Sequence, residues 1–194
     1  MVRIALFGTS ADPPTIGHQA ILEHLAVRFD EVAVWAADNP FKSQQTPLVH
    51  RQAMLELLVQ ALHAQYPNLQ LYPHLGDART IQSVRIAQQQ WPQAELTLVV
   101  GSDVLTSLPS WYCVRELLTL IHLLVVPRPG APLTDVALAS LQKLGSCFKV
   151  ADFSGPDVSS TAHRQAKTTD ELIPAIADYI QTHHLYSQVG GSSA

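Results

Sequence analysis

Two short stretches concentrate the residue types that hold phosphate: "GTSADPPTIGH" over residues 8–18 and "VSSTAHR" over residues 158–164. The first follows the apolar run "VRIALF" and precedes "QAILEHLAVRF", so it lies where a buried strand hands over to a helix. A glycine-containing loop at such a junction aims free backbone N–H groups and the positive end of a helix dipole at one point, and anions bind there. Gly8 lets the backbone come close to a ligand, Pro13 and Pro14 stiffen the turn, and Gly17 leaves the helix start uncrowded. His18, in the first helical turn, carries an imidazole toward the same anion. In the second stretch Ser159, Ser160 and Thr161 offer hydroxyls and the N–H groups of a new helix, while Arg164, one turn in, can fork onto phosphate oxygens. A Gly-His pair at a helix start is as often a structural cap or a surface histidine, but its place after the first strand with "DPP" ahead favours function. The second stretch alone reads as a serine cap with a solvated arginine, and its pairing with the first points it to phosphate. Neither the GxGxxG nor the GxxxxGK[ST] fingerprint is present.

The elements that must position these residues alternate. "VRIALF" (2–7), "EVAVWAA" (31–37), "LTLVV" (96–100) and "IHLLVV" (121–126) are short and nearly continuously apolar, as strands buried on both faces are. "LQLYP" (69–73) and "CFKVADF" (147–153) are further strand candidates. Helical spacing places Ile21, Leu22 and Leu25 on one face of 17–28, and Met54, Leu55, Leu58 and Leu62 on one face of 50–65; residues 80–90 form a more polar helix. Thr168 and Glu171 stand at capping-box spacing, which predicts an amphipathic helix over 168–185 through Ile173, Ile176 and Ile180. The expected fold is α/β: a Rossmann-like parallel sheet with helices on both faces, right-handed crossovers, and ligands at the carboxyl ends of the strands. One domain over residues 1–186 and a flexible tail over 187–194 are expected.

The bulk numbers bound the partners. The 194 residues are 47% hydrophobic and 14% charged, with a formal net charge of −4, so a compact fold is expected and no basic footprint marks nucleic acid as a partner. Cys113 and Cys147 are too few for a disulfide framework and lack metal-ligand spacing, which fits a reducing, cytoplasmic setting. The N-terminal run is too short for a secretory h-region, and "LLTLIHLLVV" (117–126) falls well short of the ~20 residues that span a bilayer, so no membrane partner is expected.

"TIGH" (15–18) resembles the [H/T]xGH signature of the nucleotidyltransferase superfamily, and "VSSTAHR" resembles its second signature, ISSTxIR. Within that superfamily the chain is similar to the nicotinate-nucleotide adenylyltransferase family from residue 2 to about 186, through "HRQAMLELL" (50–58), "VVGSD" (99–103), "LPSWY" (108–112), "VPRPG" (126–130) and the closing "LIPAIADYIQTHHLY". The resemblance implies adenylyl transfer from ATP, with Mg²⁺ on its phosphates, to nicotinate mononucleotide, giving the dinucleotide and pyrophosphate. It implies a catalytic set of His18, Thr15, Lys42 and Arg164, and ATP held by Gly8, Thr9, Ser10, Gly17, His18, Ser159, Ser160, Thr161 and Arg164. The pyridine nucleotide falls to Asp38, Asn39, Thr80, Gly101, Asp103, Trp111, Tyr112 and Arg128, and no protein ligands to a metal are implied.

Several of these also have local readings. Asp103 follows a strand end, where a carboxylate accepts from ribose hydroxyls or caps a helix. Trp111 and Tyr112 offer aromatic planes for a pyridine ring, or core contacts. Thr80 begins a helix, a place that suits an anion or a capping hydroxyl. Departures from the family pattern stand at Thr9, Ala11, Asp38, Lys42 and His163; Asp38 places a carboxylate where asparagine is usual, and Lys42 a permanent cation where histidine is usual. Acceptance of nicotinamide mononucleotide, adenylyl or cytidylyl transfer to another phosphate ester, and a nucleotide-binding module without turnover are the alternatives. A homo-oligomer is left open.

Overall fold

The computed structural model describes residues 1–38, 45–128, 130–153, 155–166 and 170–186. Six parallel strands form one sheet: β1 (Arg3–Thr9), β2 (Glu31–Ala36), β3 (Leu69–Leu71), β4 (Glu95–Gly101), β5 (His122–Val126) and β6 (Phe148–Val150), in the order β3-β2-β1-β4-β5-β6. Alternate residues of the inner strands feed two cores. Ala5, Phe7, Val32, Val34 and Val99 face one side, and Ile4, Leu6, Ala33, Trp35 and Leu98 the other. The first side is covered by α1 (Ile16–Ala26), α2 (Leu48–His63) and α7 (Pro174–Thr182), the second by α3 (Thr80–Gln90), α4 (Val114–Leu120) and α5 (Asp135–Lys143). Strands buried on both faces must read as unbroken apolar runs, and the inner strands largely do, while the edge strands β3 and β6 are interrupted by the exposed Gln70 and Lys149.

The strand order reverses direction between β1 and β4, and in open α/β sheets ligands bind in the crevice beyond the carboxyl ends at such a switch point. Both the loop after Thr9 and the turn after Gly101 therefore open onto one place. α6 (Ser160–Ala166) starts beside the same edge.

The expected elements agree with the observed ones except at the C-terminal end and in two unforeseen helices. The helix expected over 168–185 begins at Pro174, with Ile173 extended as its N-cap. Proline suits the first helical turn and pushes the residue before it out of helical geometry, so it sets the start and overrides the Thr168–Glu171 spacing. Thr168 itself, like the tail 187–194, lies outside the described residues. α4 occupies the beginning of the apolar stretch read as a single run, burying Val114, Leu117 and Leu118. α5 is opened by Thr134, whose hydroxyl accepts from the N–H of Ala137 at 3.2 Å. Among the described residues no helix is long and apolar enough to cross a membrane.

Candidate active site

The loop joining β1 to α1 is buried from Ala11 to Thr15. Ala11 sits in the left-handed region at φ 49°. Thr15 is the N-cap of α1, and its backbone N–H donates to Nδ1 of His18 at 3.1 Å. That bond makes Nδ1 an acceptor and assigns the ring proton to Nε2, which lies 3.0 Å from the Thr9 hydroxyl. His18 is 4% exposed, and burial, aided by the Arg128 cation, pushes its pKa down from 6.5 to about 3. The ring is thus neutral near pH 7 and serves as the N3 partner of the capping box that opens α1. The first free N–H of the helix, that of Ile16, donates to the carbonyl of Glu171 at 2.8 Å, so the segment before α7 braces this corner.

The second signature docks on the first. Ser160 donates to the carbonyl of Pro13 at 2.8 Å, and the Arg164 guanidinium donates to the carbonyl of Asp12 and to the Thr161 hydroxyl. Ser159 caps α6 by accepting from the N–H of Ala162 at 3.1 Å. A Cβ on Gly17 would lie 3.0 Å from the Val158 side chain, so the two signatures approach closely at this glycine and a larger residue would push Val158 back by a few tenths of an ångström. At Gly8 the reason is different: a Cβ would stand 2.6 Å from the Trp35 ring, so this glycine makes room for a buried indole rather than only for a ligand.

Three residues outside the predicted set hold these loops together. Asp12, 2% exposed, accepts from the Tyr186 hydroxyl at 2.7 Å and from the N–H of Thr46 at 3.3 Å, with Arg164 3.9 Å from its Oδ2. Arg51, 1% exposed, donates to the carbonyls of Thr46, Ser10 and Ala37 and pairs with Asp38 at 3.3 Å. Tyr186 closes the set from the far end of the chain, its pKa raised by burial and by the Asp12 bond. Arg51 was visible in principle: it falls on the same helical stripe as Met54, Leu55, Leu58 and Leu62, and a cation on a core stripe must be satisfied inside. Nothing local in the sequence marks Tyr186.

At the carboxyl end of β4, Ser102 donates to the carbonyl of Ala131 and accepts the N–H of Arg128, fixing Arg128 where its guanidinium lies 3.4 Å from Asp103. Gly101 borders both side chains. Thr80 is the first residue of α3, whose N-cap is Arg79 rather than Thr80. The Arg79 guanidinium stacks 4.2 Å above the Tyr112 ring, and Trp111 is half-buried against the core on the α3 side. Asp38 is exposed apart from its pairing with Arg51. Asn39 and Lys42 lie outside the described residues. His163 is buried edge-on to Tyr186 at 6.4 Å.

A helix start after the first strand with a second helix start tied onto it, at the switch point of a parallel sheet, is the arrangement of a Rossmann-like nucleotidyltransferase. The match to the cytidylyltransferase-like family covers residues 6–166. The chain is 42% identical over 96% of its length to a Synechocystis protein, covered in full, named "Probable nicotinate-nucleotide adenylyltransferase", and 30% identical over 96% of its length to the Bacillus subtilis nicotinate-nucleotide adenylyltransferase, 99% covered. It belongs to the cytidylyltransferase-like family and, within it, to the nicotinate-nucleotide adenylyltransferases. The fold is shared with the Plasmodium falciparum nicotinic acid mononucleotide adenylyltransferase complexed with NaAD, at TM-score 0.81 and 18% identity over 96% of this chain and 98% of that one.

Proposed function

We propose that the chain transfers the adenylyl group of ATP to the 5′-phosphate of nicotinate mononucleotide, releasing pyrophosphate and giving nicotinate adenine dinucleotide, a step of NAD biosynthesis. The observation that carries this reading is the docking of Ser160 and Arg164 onto Pro13 and Asp12 at the start of α1, beside a neutral His18.

The attacking phosphate is already an anion, so the reaction needs no general base. Catalysis rests on aligning two polyanions and on stabilising the charge that builds on the α-phosphate. His18 supplies its Nε2–H, which exchanges Thr9 for a phosphate oxygen; Thr15 fixes the ring by holding Nδ1. Ser159, Ser160, Thr161 and Arg164 face the departing pyrophosphate, and Gly8, Thr9, Ser10 and Gly17 line the loop beneath the nucleotide. Lys42 is a second cation for the reacting phosphates. Gly101, Asp103 and Arg128 serve the ribose and phosphate of the acceptor, while Asp38, Asn39, Thr80, Trp111 and Tyr112 serve its pyridine end. Asp38 is compatible with an acidic pyridine because Arg51 offsets its charge. Mg²⁺ carried on the ATP phosphates would supply neutralisation of their charge, held by the nucleotide rather than by side chains of this loop. The Asp12 carboxylate at this loop is taken up by Tyr186, Thr46 and Arg164, which suits an ion carried by the nucleotide.

The test is transfer of α-labelled adenylyl or cytidylyl from ATP or CTP to a panel of nicotinate mononucleotide, nicotinamide mononucleotide and other phosphate esters. Label in nicotinate adenine dinucleotide from ATP is the expected product. Preference for another acceptor or for CTP would replace the substrate assignment, and binding without transfer would replace the activity.

A further inference from the structure

At the opposite, amino-terminal edge of the sheet, three side chains with complementary chemistry meet. Sγ of Cys147 lies 3.2 Å from Nδ1 of His122, and Nε2 of the same ring lies 3.8 Å from Oε1 of Glu95. The strand register brings them together. Leu123 pairs with Phe148, so the residues just before them, His122 and Cys147, are neighbours, and Thr97 pairs with His122, which sets Glu95 two residues upstream on the same face of β4. The N–H of Leu123 donates to the carbonyl of Cys147 at 2.9 Å, pinning the cysteine backbone at the start of β6.

A nucleophile within hydrogen-bond reach of a base, itself steered by a third group, is the arrangement that activates thiols. The Glu95 carboxylate, 3.8 Å from Nε2, favours the tautomer with its proton on that nitrogen, which leaves Nδ1 to accept the thiol proton and gives the imidazolium that forms a nearby counter-charge. Cys147 is exposed, and the His122 and Glu95 side chains are 48% and 41% exposed, so a small molecule reaches the sulfur. The other cysteine, Cys113, is also exposed but has no imidazole partner among the described residues; its charged neighbour is Arg85.

We infer that Cys147 is a thiol–disulfide exchange site for low-molecular-weight disulfides, with His122 as its base and Glu95 positioning His122. Nδ1 takes the thiol proton as Sγ attacks one sulfur of the disulfide. A new S–S bond forms to Cys147, the old one breaks, and its electron pair leaves on the second sulfur, which collects the proton from His122. The products are a protein mixed disulfide and one free thiol, and the disulfide is the only oxidant consumed.

The experiment uses 4,4′-dithiodipyridine, a neutral disulfide that surface charges do not attract, with the full chain and thiopyridone release as the readout. The Cys113→Ser variant, which retains Cys147, should react about tenfold or more faster than Cys147→Ser, which retains Cys113. Adding His122→Asn to Cys113→Ser should lower its rate to that of Cys147→Ser, adding Glu95→Gln should give an intermediate rate, and peptide mass mapping should place the adduct on Cys147. Equal rates for the two cysteine variants, or a Cys147 rate indifferent to His122→Asn, would overturn the inference.

Discussion

The hydroxyl of Tyr186 donates to Oδ1 of Asp12 at 2.7 Å, tying the end of the described chain to the loop that opens the first helix, 174 residues away. Asp12 also receives Arg164 of the second signature, so the two signatures and the C-terminal segment share one buried carboxylate. Tyr186→Phe leaves that carboxylate short of a donor. A lost hydrogen bond to a charged group costs about 1.5–3 kcal/mol. Thermal unfolding should report a drop of that order, and the KM for ATP should rise more than kcat falls, because Arg164 loses its reference point.

His18→Gln keeps an acceptor for the Thr15 N–H, since Thr-x-x-Gln is itself a capping box. The variant should stay folded, with a melting temperature near that of the unaltered chain. Its turnover should fall ~10²–10³-fold, the usual loss when one donor to a developing oxyanion is removed. Steady-state kinetics beside a thermal melt separate these two effects.

Because the folded His18 pKa lies near 3 and the unfolded value near 6.5, the unfolded chain takes up this proton first as pH falls. Protons bound to the unfolded state exceed those bound to the native state across that window, so stability rises with pH there. The contribution is whole above about pH 6.5 and is lost progressively toward pH 3. Denaturant titrations at a series of pH values should show the unaltered chain losing stability relative to His18→Gln on acidification. The opposite slope would contradict a buried neutral ring.

Arg51 donates to three backbone carbonyls from the loops after β1 and β2 and before α2. Arg51→Met should lower stability by about 3 kcal/mol or more, since it strands those carbonyls and leaves Asp38 unpaired. Arg51→Lys should recover only part of this, because an ammonium cannot span the same acceptors. Urea unfolding of the two variants checks both statements.

Gly8→Ala drives a methyl group into the Trp35 ring, and overpacking of this kind costs about 1–3 kcal/mol. If indole packing is the reason for this glycine, Gly8→Ala/Trp35→Leu should be more stable than the sum of the two single changes predicts. A double-mutant cycle by thermal unfolding measures that coupling.

The sheet was legible because strands buried on both faces cannot hide their apolar runs: "VRIALF", "EVAVWAA" and "LTLVV" match β1, β2 and β4 within a residue or two. The helices α1, α2 and α3 were legible from their apolar stripes. α4 and α5 were not, one because it merges into the apolar stretch leading to β5, the other because it is short and buries chiefly Leu141. Within the site, Ser160 and Arg164 stood out only through the pairing of their stretch with that of His18 and its resemblance to the second superfamily signature, and the structure docks the two stretches on each other. Asp12 and Tyr186 act across 34 to 174 residues of sequence separation, and such contacts leave no local pattern, whereas Arg51 shows only as a cation on the apolar stripe of α2. The spacing of Thr168 and Glu171 misled for a related reason, because the constraint imposed by Pro174 outweighs it.

The most direct test of the account is pyrophosphate release from Mg²⁺ and ATP with nicotinate mononucleotide or nicotinamide mononucleotide as acceptor, run for the unaltered chain and for His18→Gln. The account predicts turnover with nicotinate mononucleotide in the unaltered chain, its near loss in the variant, and weaker use of the nicotinamide form. Undiminished release by His18→Gln, or no release with nicotinate mononucleotide from the folded unaltered chain, would contradict it.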